Sequence, residues 1–83
     1  MGRRNEPTRS ELDALRMRTL GSRVRQRRRA LHPLVTQDEL AARAGLSRPQ
    51  LSRIETGTAR PTVAMLYHVA DALGCHIRDL LAD

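Results

Sequence analysis

Lysine, tryptophan and phenylalanine are missing from this 83-residue chain, and cysteine and tyrosine occur once each. A single cysteine, Cys75, excludes an internal disulfide, and with three scattered histidines it offers no metal-ligand spacing. Cys75 is expected as a small buried residue between Gly74 and the last helix, His32 and His68 as bystanders, and His76 near the cap of that helix. One aromatic, Tyr67, means that the core must be built from Leu, Val, Ile, Met and Ala. The same scarcity disfavours binding of unpaired RNA, which needs aromatic side chains to stack on bases. No run approaches the roughly 20 apolar residues of a membrane span, and the first residues lack the apolar stretch of a signal peptide, so a cytoplasmic protein is expected. A chain of this length buries one helical core but not the walls of a deep substrate cavity. Nothing resembles a nucleophile and its base, so neither an enzyme nor a metal or other cofactor is expected.

What is abundant is arginine. All fifteen cations are Arg, and the net charge is +6. Residues 1–31 hold ten Arg against Glu6, Glu11 and Asp13, a net of +7. Residues 32–61 net +1, and residues 62–83 net −2. Arg16, Arg18, Arg23, Arg25, Arg27, Arg28 and Arg29 follow one another with no acidic residue between Ala14 and Gln37. Such a block attracts a polyanion and makes its binding steeply salt-dependent.

The most informative stretch runs from Thr36 to Thr62, TQDELAARAGLSRPQLSRIETGTARPT. Thr36 reads as an N-cap, with Glu39 completing a T-x-x-E capping box and Asp38 beside it in the first turn, where the helix dipole favours negative charge. Leu40, Ala41 and Ala44 form a narrow apolar edge, and the small side chains of Ala41, Ala42 and Ala44 would let another helix approach. Gly45 suits a left-handed helix end and Leu46 plugs the corner. Ser47 opens a second helix, in whose first turn Pro49 is tolerated because the N–H groups there lack intrahelical partners. At about 100° per residue, Leu51 and Ile54 share one side with Ser47. Pro49, Ser52, Arg53 and Thr56 take the other, with Arg48 at its edge. The outer face, with two Arg, two hydroxyls and little apolar area, suits the floor of a DNA major groove. This pattern is a helix-turn-helix.

Upstream, residues 1–9 read as a disordered basic tail with Arg3 and Arg4, and residues 10–19 as a helical extension opened by Ser10 as N-cap. Leu12, Leu15, Met17, Leu20, Val24 and Leu31 supply its apolar stripe, and Gly21 interrupts it. The pattern leaves open whether these turns run on into the next helix or fold back, and whether they pack on the domain or on a second copy. Downstream, the exit loop Thr56 to Arg60 offers hydroxyls, N–H groups and one Arg to flanking phosphates. Pro61 and Thr62 start a helix with Val63, Leu66, Val69, Ala70 and Leu73 at helical spacing, Gly74 ends it, and Ile77, Leu80 and Leu81 close the core.

The segments TQDELAARAGLSRPQLSRIETG, RPT and LYHVADALGCHIRDLL together resemble the Cro and phage-repressor type of helix-turn-helix, the xenobiotic response element family. The likeness covers roughly Leu20 to Leu81. It implies an all-α, five-helix repressor-like domain over residues 20–83, preceded by the N-terminal helical extension. It also implies that Arg48, Pro49, Ser52 and Arg53 read base edges and that Gln37 contacts phosphate and braces a reader. Glu55 resembles the family glutamate that pairs structurally with an arginine of the first helix, a position occupied by Arg28. Two departures stand out: Pro49 replaces a frequent polar reader and is restricted to apolar contacts, and the loop Leu31 to Val35 is about two residues longer than in the shortest members.

The expectation is therefore a sequence-specific, DNA-binding transcriptional regulator, a repressor acting as a homodimer on an inverted repeat in double-stranded DNA. Gln37, Arg43, Ser47, Thr56 and Arg60 would hold phosphates, and Arg48 or Arg53 would read guanine by paired hydrogen bonds. Small members of this family also act as antitoxins that bind a protein toxin, and others control restriction and modification operons. Both stand as alternatives. With two residues after Leu81, the sequence as read leaves no room for an effector-binding domain.

Overall fold

A computed structural model describes residues 5–81, so the expected contribution of Arg3 and Arg4 to a tail lies outside the described residues. Within that range there are five helices: α1 (Arg9–Arg29), α2 (Gln37–Ala44), α3 (Arg48–Thr56), α4 (Val63–Leu73) and α5 (Ile77–Leu81). The all-α architecture agrees with the expectation from sequence.

α1 is one continuous helix of 21 residues, which resolves the question left open upstream: the extension and the first domain helix are the same element. It begins earlier than expected. Thr8 caps it, not Ser10: the Thr8 hydroxyl accepts from the Glu11 N–H at 3.1 Å and the Glu11 carboxylate accepts from the Thr8 N–H at 3.0 Å. That is the T-x-x-E box read at Thr36 and Glu39, repeated upstream, and a reciprocal pair outcompetes a lone serine two residues on. Nor does Gly21 interrupt α1. It is buried within the helix, where a Cβ would meet the Ile54 carbonyl oxygen and would lie 2.6 Å from that of Glu55. Glycine is needed there because α1 and α3 touch backbone to backbone.

Capping sets the remaining boundaries. Thr36, Ser47 and Thr62 hold extended backbone and accept from N–H groups three residues on, while Gly45, Gly57 and Gly74 end α2, α3 and α4 with φ of 70°, 78° and 73°. Thr62 is thus a cap and Pro61 lies outside the helix. α1 packs chiefly on α3 and also on α4 and α5; α2 packs on α3 and α4, and α4 on α5. Leu40, Leu51, Ile54, Leu80, Val24 and Val69 are fully buried where these helices meet.

Several residues assigned to the core stripe lie elsewhere. Val63, Leu15 and Leu81 are exposed, as is Ala42, so only Ala41 and Ala44 line the close contact of α2. Val63 is the first residue of its helix and projects before the packed surface begins. Leu15 and Leu81 line the groove between α1 and α5. Leu31 follows the end of α1 and is half-buried, like Met17, Ile77 and Cys75. Partial burial pushes the Cys75 thiol pKa up, so the residue is a weak nucleophile.

Candidate nucleic-acid interface

A buried polar hub holds α3 against α1. Arg28 Nε and Nη2 donate to the two carboxylate oxygens of Glu55 at 2.7 and 2.9 Å, and Nη1 donates to the Val35 carbonyl at 3.1 Å. Gln37 adds an amide N–H to Glu55 Oε1 at 3.0 Å. One arginine therefore ties the end of α1 to the last turn of α3 and to the strap before α2, while Gln37 joins α2 to the same carboxylate. Burial by itself would raise the Glu55 pKa. The hydrogen bonds from Arg28 and Gln37, with the charges of Arg28 and Arg25, outweigh it and keep the carboxylate below its ordinary value. Among the described residues no buried side-chain polar atom lacks a partner.

On this frame α3 presents its outward face. Arg48, Pro49 and Arg53 are exposed and Ser52 is half-buried, while Leu51, Ile54 and Glu55 turn inward. Ser47 and Gln50 form a reciprocal capping box, the Gln50 N–H donating to Ser47 Oγ at 3.2 Å and the Ser47 N–H to Gln50 Oε1 at 2.8 Å. Gln50 was legible as S-x-x-Q but escaped the sequence reading. Because Ser47 Oγ is an acceptor in this box, its own proton remains available to a phosphate. Arg48 Nε lies 3.8 Å from Asp38 Oδ1 and bridges the first turns of α2 and α3.

The residues expected to hold phosphates are less uniform than the sequence suggested. One Gln37 amide N–H is committed to Glu55, so the side chain is positioned from behind and its oxygen is left as an acceptor. The Thr56 hydroxyl lies 3.1 Å from the Ser52 carbonyl oxygen and 3.1 Å from Thr58 Oγ1. The Thr58 and Ala59 N–H groups both turn back to the Arg53 carbonyl, at 3.0 and 3.2 Å. The exit loop thus spends its donors closing α3, whose last carbonyls need partners. Arg60 remains exposed, 3.6 Å from Asp13 of α1. Arg43 stands apart, beside Glu39 and about 120° around α2 from Gln37.

The arginine block of α1 also divides. Arg28 is buried and neutralised by Glu55, and Arg27 lies 4.0 Å from Asp79 of α5, so the block does have acidic partners, brought from distant sequence. At about 100° per residue, Arg16, Arg23 and Arg27 fall on one side of α1 and Arg18, Arg25 and Arg29 on another. The first group borders α5: Arg16 and Arg23 line a groove with Leu80 and Leu81. The second borders α3: Arg18 abuts Gly57 and the charge of Arg25 reaches Glu55.

This geometry has close counterparts. The helix-turn-helix family model (HTH_3) matches residues 24–80. A transcriptional regulator in the ATPase CF(0) region of Rhodospirillum rubrum is 41% identical over 64 residues, covering 77% of this chain and 57% of that protein. The chain spans about half the length of the curated relatives it matches. Among solved structures, the restriction-modification controller protein C.AhdI from Aeromonas hydrophila superposes with a TM-score of 0.73 at 28% identity, over 77% of this chain and 94% of that one. The P22 c2 repressor, solved with a synthetic operator, gives 0.69 at 30% identity over 76% and 92%. A family match across more than half of the residues, on a chain whose α2–α3 corner and buried Arg28–Glu55 pair lie where the sequence resemblance set them, places this protein in the Cro and phage-repressor type of helix-turn-helix family.

Proposed function

We propose that this chain is a sequence-specific regulator of transcription, a repressor that binds duplex DNA through α3. The observation that carries the reading is the outward set Arg48, Pro49, Ser52 and Arg53, displayed on a helix whose opposite side is bolted to α1 by Arg28 and Glu55. Bolting matters because a reader on a mobile helix would lose, in ordering, much of what it gained in contact. Arg48 and Arg53 carry the paired N–H donors that match guanine O6 and N7, each good pair being worth roughly 1–3 kcal/mol of discrimination. Pro49 is confined to apolar contact, for which a thymine methyl is suited. Ser47, Arg60 and the N–H groups opening α3 fix the register on phosphates, assisted by Gln37. One helix reads few base pairs, so the protein works as a homodimer on two half-sites about one helical turn apart. A role in controlling a restriction and modification operon is the same chemistry in another circuit, favoured by the likeness to C.AhdI over 94% of that chain. A cytoplasmic location goes with this DNA-binding role.

Selection of bound duplexes from a random pool tests this, followed by titration of the winner and a scrambled duplex across a salt series. The expected result is a palindromic consensus with guanine in each half-site, bound far more tightly than the scrambled control. Equal, steeply salt-dependent binding to both duplexes would reduce the arginines to phosphate attraction and overturn sequence-specific recognition.

A further inference from the structure

No residue in the first three turns of α1 is fully buried. Leu15 and Leu81 are 52% and 54% exposed, yet they line the same groove, about 440 Å³ in volume, with Leu12, Leu20 and Leu80. Scattered exposed leucines are ordinary; two sharing one mainly apolar groove between the start of α1 and the end of α5, with Arg16, Thr19 and Arg23 also in its lining, form a patch. We propose that a second copy of this chain covers the patch, with the two α1 helices antiparallel about a two-fold axis beside Leu15. The inference rests on the homodimer reading above and names the surface that makes the dimer.

Charge complementarity selects the occupant. Counting around α1 from Leu15, Glu11 and Arg18 fall on the same flank, about 40° and about 60° away. In an antiparallel pair related by a two-fold axis, each flank of one helix meets the same flank of the other. Glu11 and Arg18 stand equally far, in opposite directions, from a point between Ala14 and Leu15, so placing the axis there brings each Glu11 opposite Arg18 of the second copy. Leu15 then meets its own counterpart at the axis, and Leu12 enters the groove of the other copy. Both charged residues are exposed. One carboxylate oxygen of Glu11 accepts from the Thr8 N–H, which holds the side chain in place and leaves the second oxygen for a partner. Arg16 and Arg23, about 80–100° away on the other flank, stay at the rim.

The location also suits DNA binding. Of the residues of α1 that border α3, Gly21, Val24 and Arg28 lie between about 120° and 180° around the helix from Leu15, and Arg18, about 60° away, abuts Gly57 at the end of α3 farthest from Arg48. A copy seated at Leu15 therefore leaves the outward face of α3 uncovered.

Sedimentation of the full chain tests the interface. The unmodified protein is expected to sediment as a dimer and Leu15→Asp as a monomer with unchanged helicity, since Leu15 lies outside the core. Glu11→Arg alone and Arg18→Glu alone are each expected to be monomeric, because each sets like charges opposite one another; mixed in equal amounts they should form a heterodimer. Recovery on mixing separates the interface from a loss of helix capping, which mixing cannot repair. If Leu15→Asp remains dimeric, or the mixed variants stay apart while the unmodified chain pairs, this surface is wrong and the homodimer reading survives with another interface. If the unmodified chain is monomeric both free and on an inverted-repeat duplex, the homodimer reading falls as well. Retention of a small protein by the unmodified monomer but not by Leu15→Asp would assign the groove to a different occupant and overturn the proposal.

Discussion

Two arginine–carboxylate pairs in this molecule use the same chemistry for opposite ends. Arg28 and Glu55 meet at 2.7 Å with their side chains 9% and 1% exposed, while Arg48 and Asp38 stand 3.8 Å apart with 64% and 72% exposed. The first pair has lost its water and gained a fixed, two-pronged geometry with further hydrogen bonds from Gln37 and to Val35. Its members cannot leave one another without stranding a buried charge. The second pair is solvated on all sides, so its attraction is screened and its arginine can exchange a carboxylate for another acceptor at little cost. Burial, not residue type, makes one arginine a bolt and leaves the other free to exchange partners.

The largest effect should come from breaking the bolt. Arg28→Ala leaves the Glu55 carboxylate buried without its cation, and destabilisation of about 3–5 kcal/mol is expected in denaturant unfolding. For a domain of this size that is much of the total stability. If Arg28→Ala unfolded at nearly the same denaturant concentration as the parent, the contrast between the two pairs would collapse. Gly21→Ala attacks the same contact from the backbone side, since its methyl would press on the Ile54 and Glu55 carbonyls; about 1–3 kcal/mol of destabilisation is expected from the same measurement.

Acid sharpens the comparison. The Glu55 pKa is lower in the folded chain than its ordinary value of 4.5, so the pair contributes its full stability above that value. That contribution is lost as pH falls below 4.5 through the folded-state pKa. Thermal melts should show this decline below pH 4.5, and in Glu55→Gln the portion due to this residue should be missing from the slope.

Replacing the exposed arginine should leave the fold alone. Arg48→Ala is expected to change stability by no more than about 0.5 kcal/mol while relaxing discrimination at one base pair by roughly 1–3 kcal/mol. Arg60→Ala, in contrast, should weaken all duplexes alike. Competition titrations with single-base variants of the selected site distinguish the two. The smallest effect belongs to Asp38→Asn, which removes an exposed partner of Arg48. Unfolding should shift by less than about 0.5 kcal/mol, and a larger loss would mean that the surface pair carries structural weight.

The two capping boxes at Thr8 and Thr36 teach how far sequence reading reaches. Both are T-x-x-E, yet only the second was identified, because it stood before an apolar run and the first stood before the Arg-rich extension, where Ser10 looked as good. The box is a local signal, fully contained in four residues, and was legible in both places. Arg28 and Glu55 were found only through resemblance, since 27 residues separate them. The pairing of Arg27 with Asp79, of Arg60 with Asp13 and of Arg48 with Asp38 had no sequence signal at all. Each joins side chains from different elements, and nothing local records which helix turns will end up adjacent.

By itself, then, the sequence determined the helices, their caps and the outward face of α3, because these depend on hydrogen bonds and angular spacing within a few residues of one another. The helical content, the corner at Gly45 and the aliphatic core all belong to this class. Only the tertiary structure decided that Gly21 is a point of contact and not a break, that the exit loop spends its donors on Arg53, and that the arginine block splits into a buried bolt, a stripe beside α3 and a stripe beside α5. Those outcomes depend on how α1 lies across α3 and α5. That placement is set by the summed packing of Leu20, Val24, Leu51, Ile54 and Leu80, a property of the whole core that no short stretch of the chain contains.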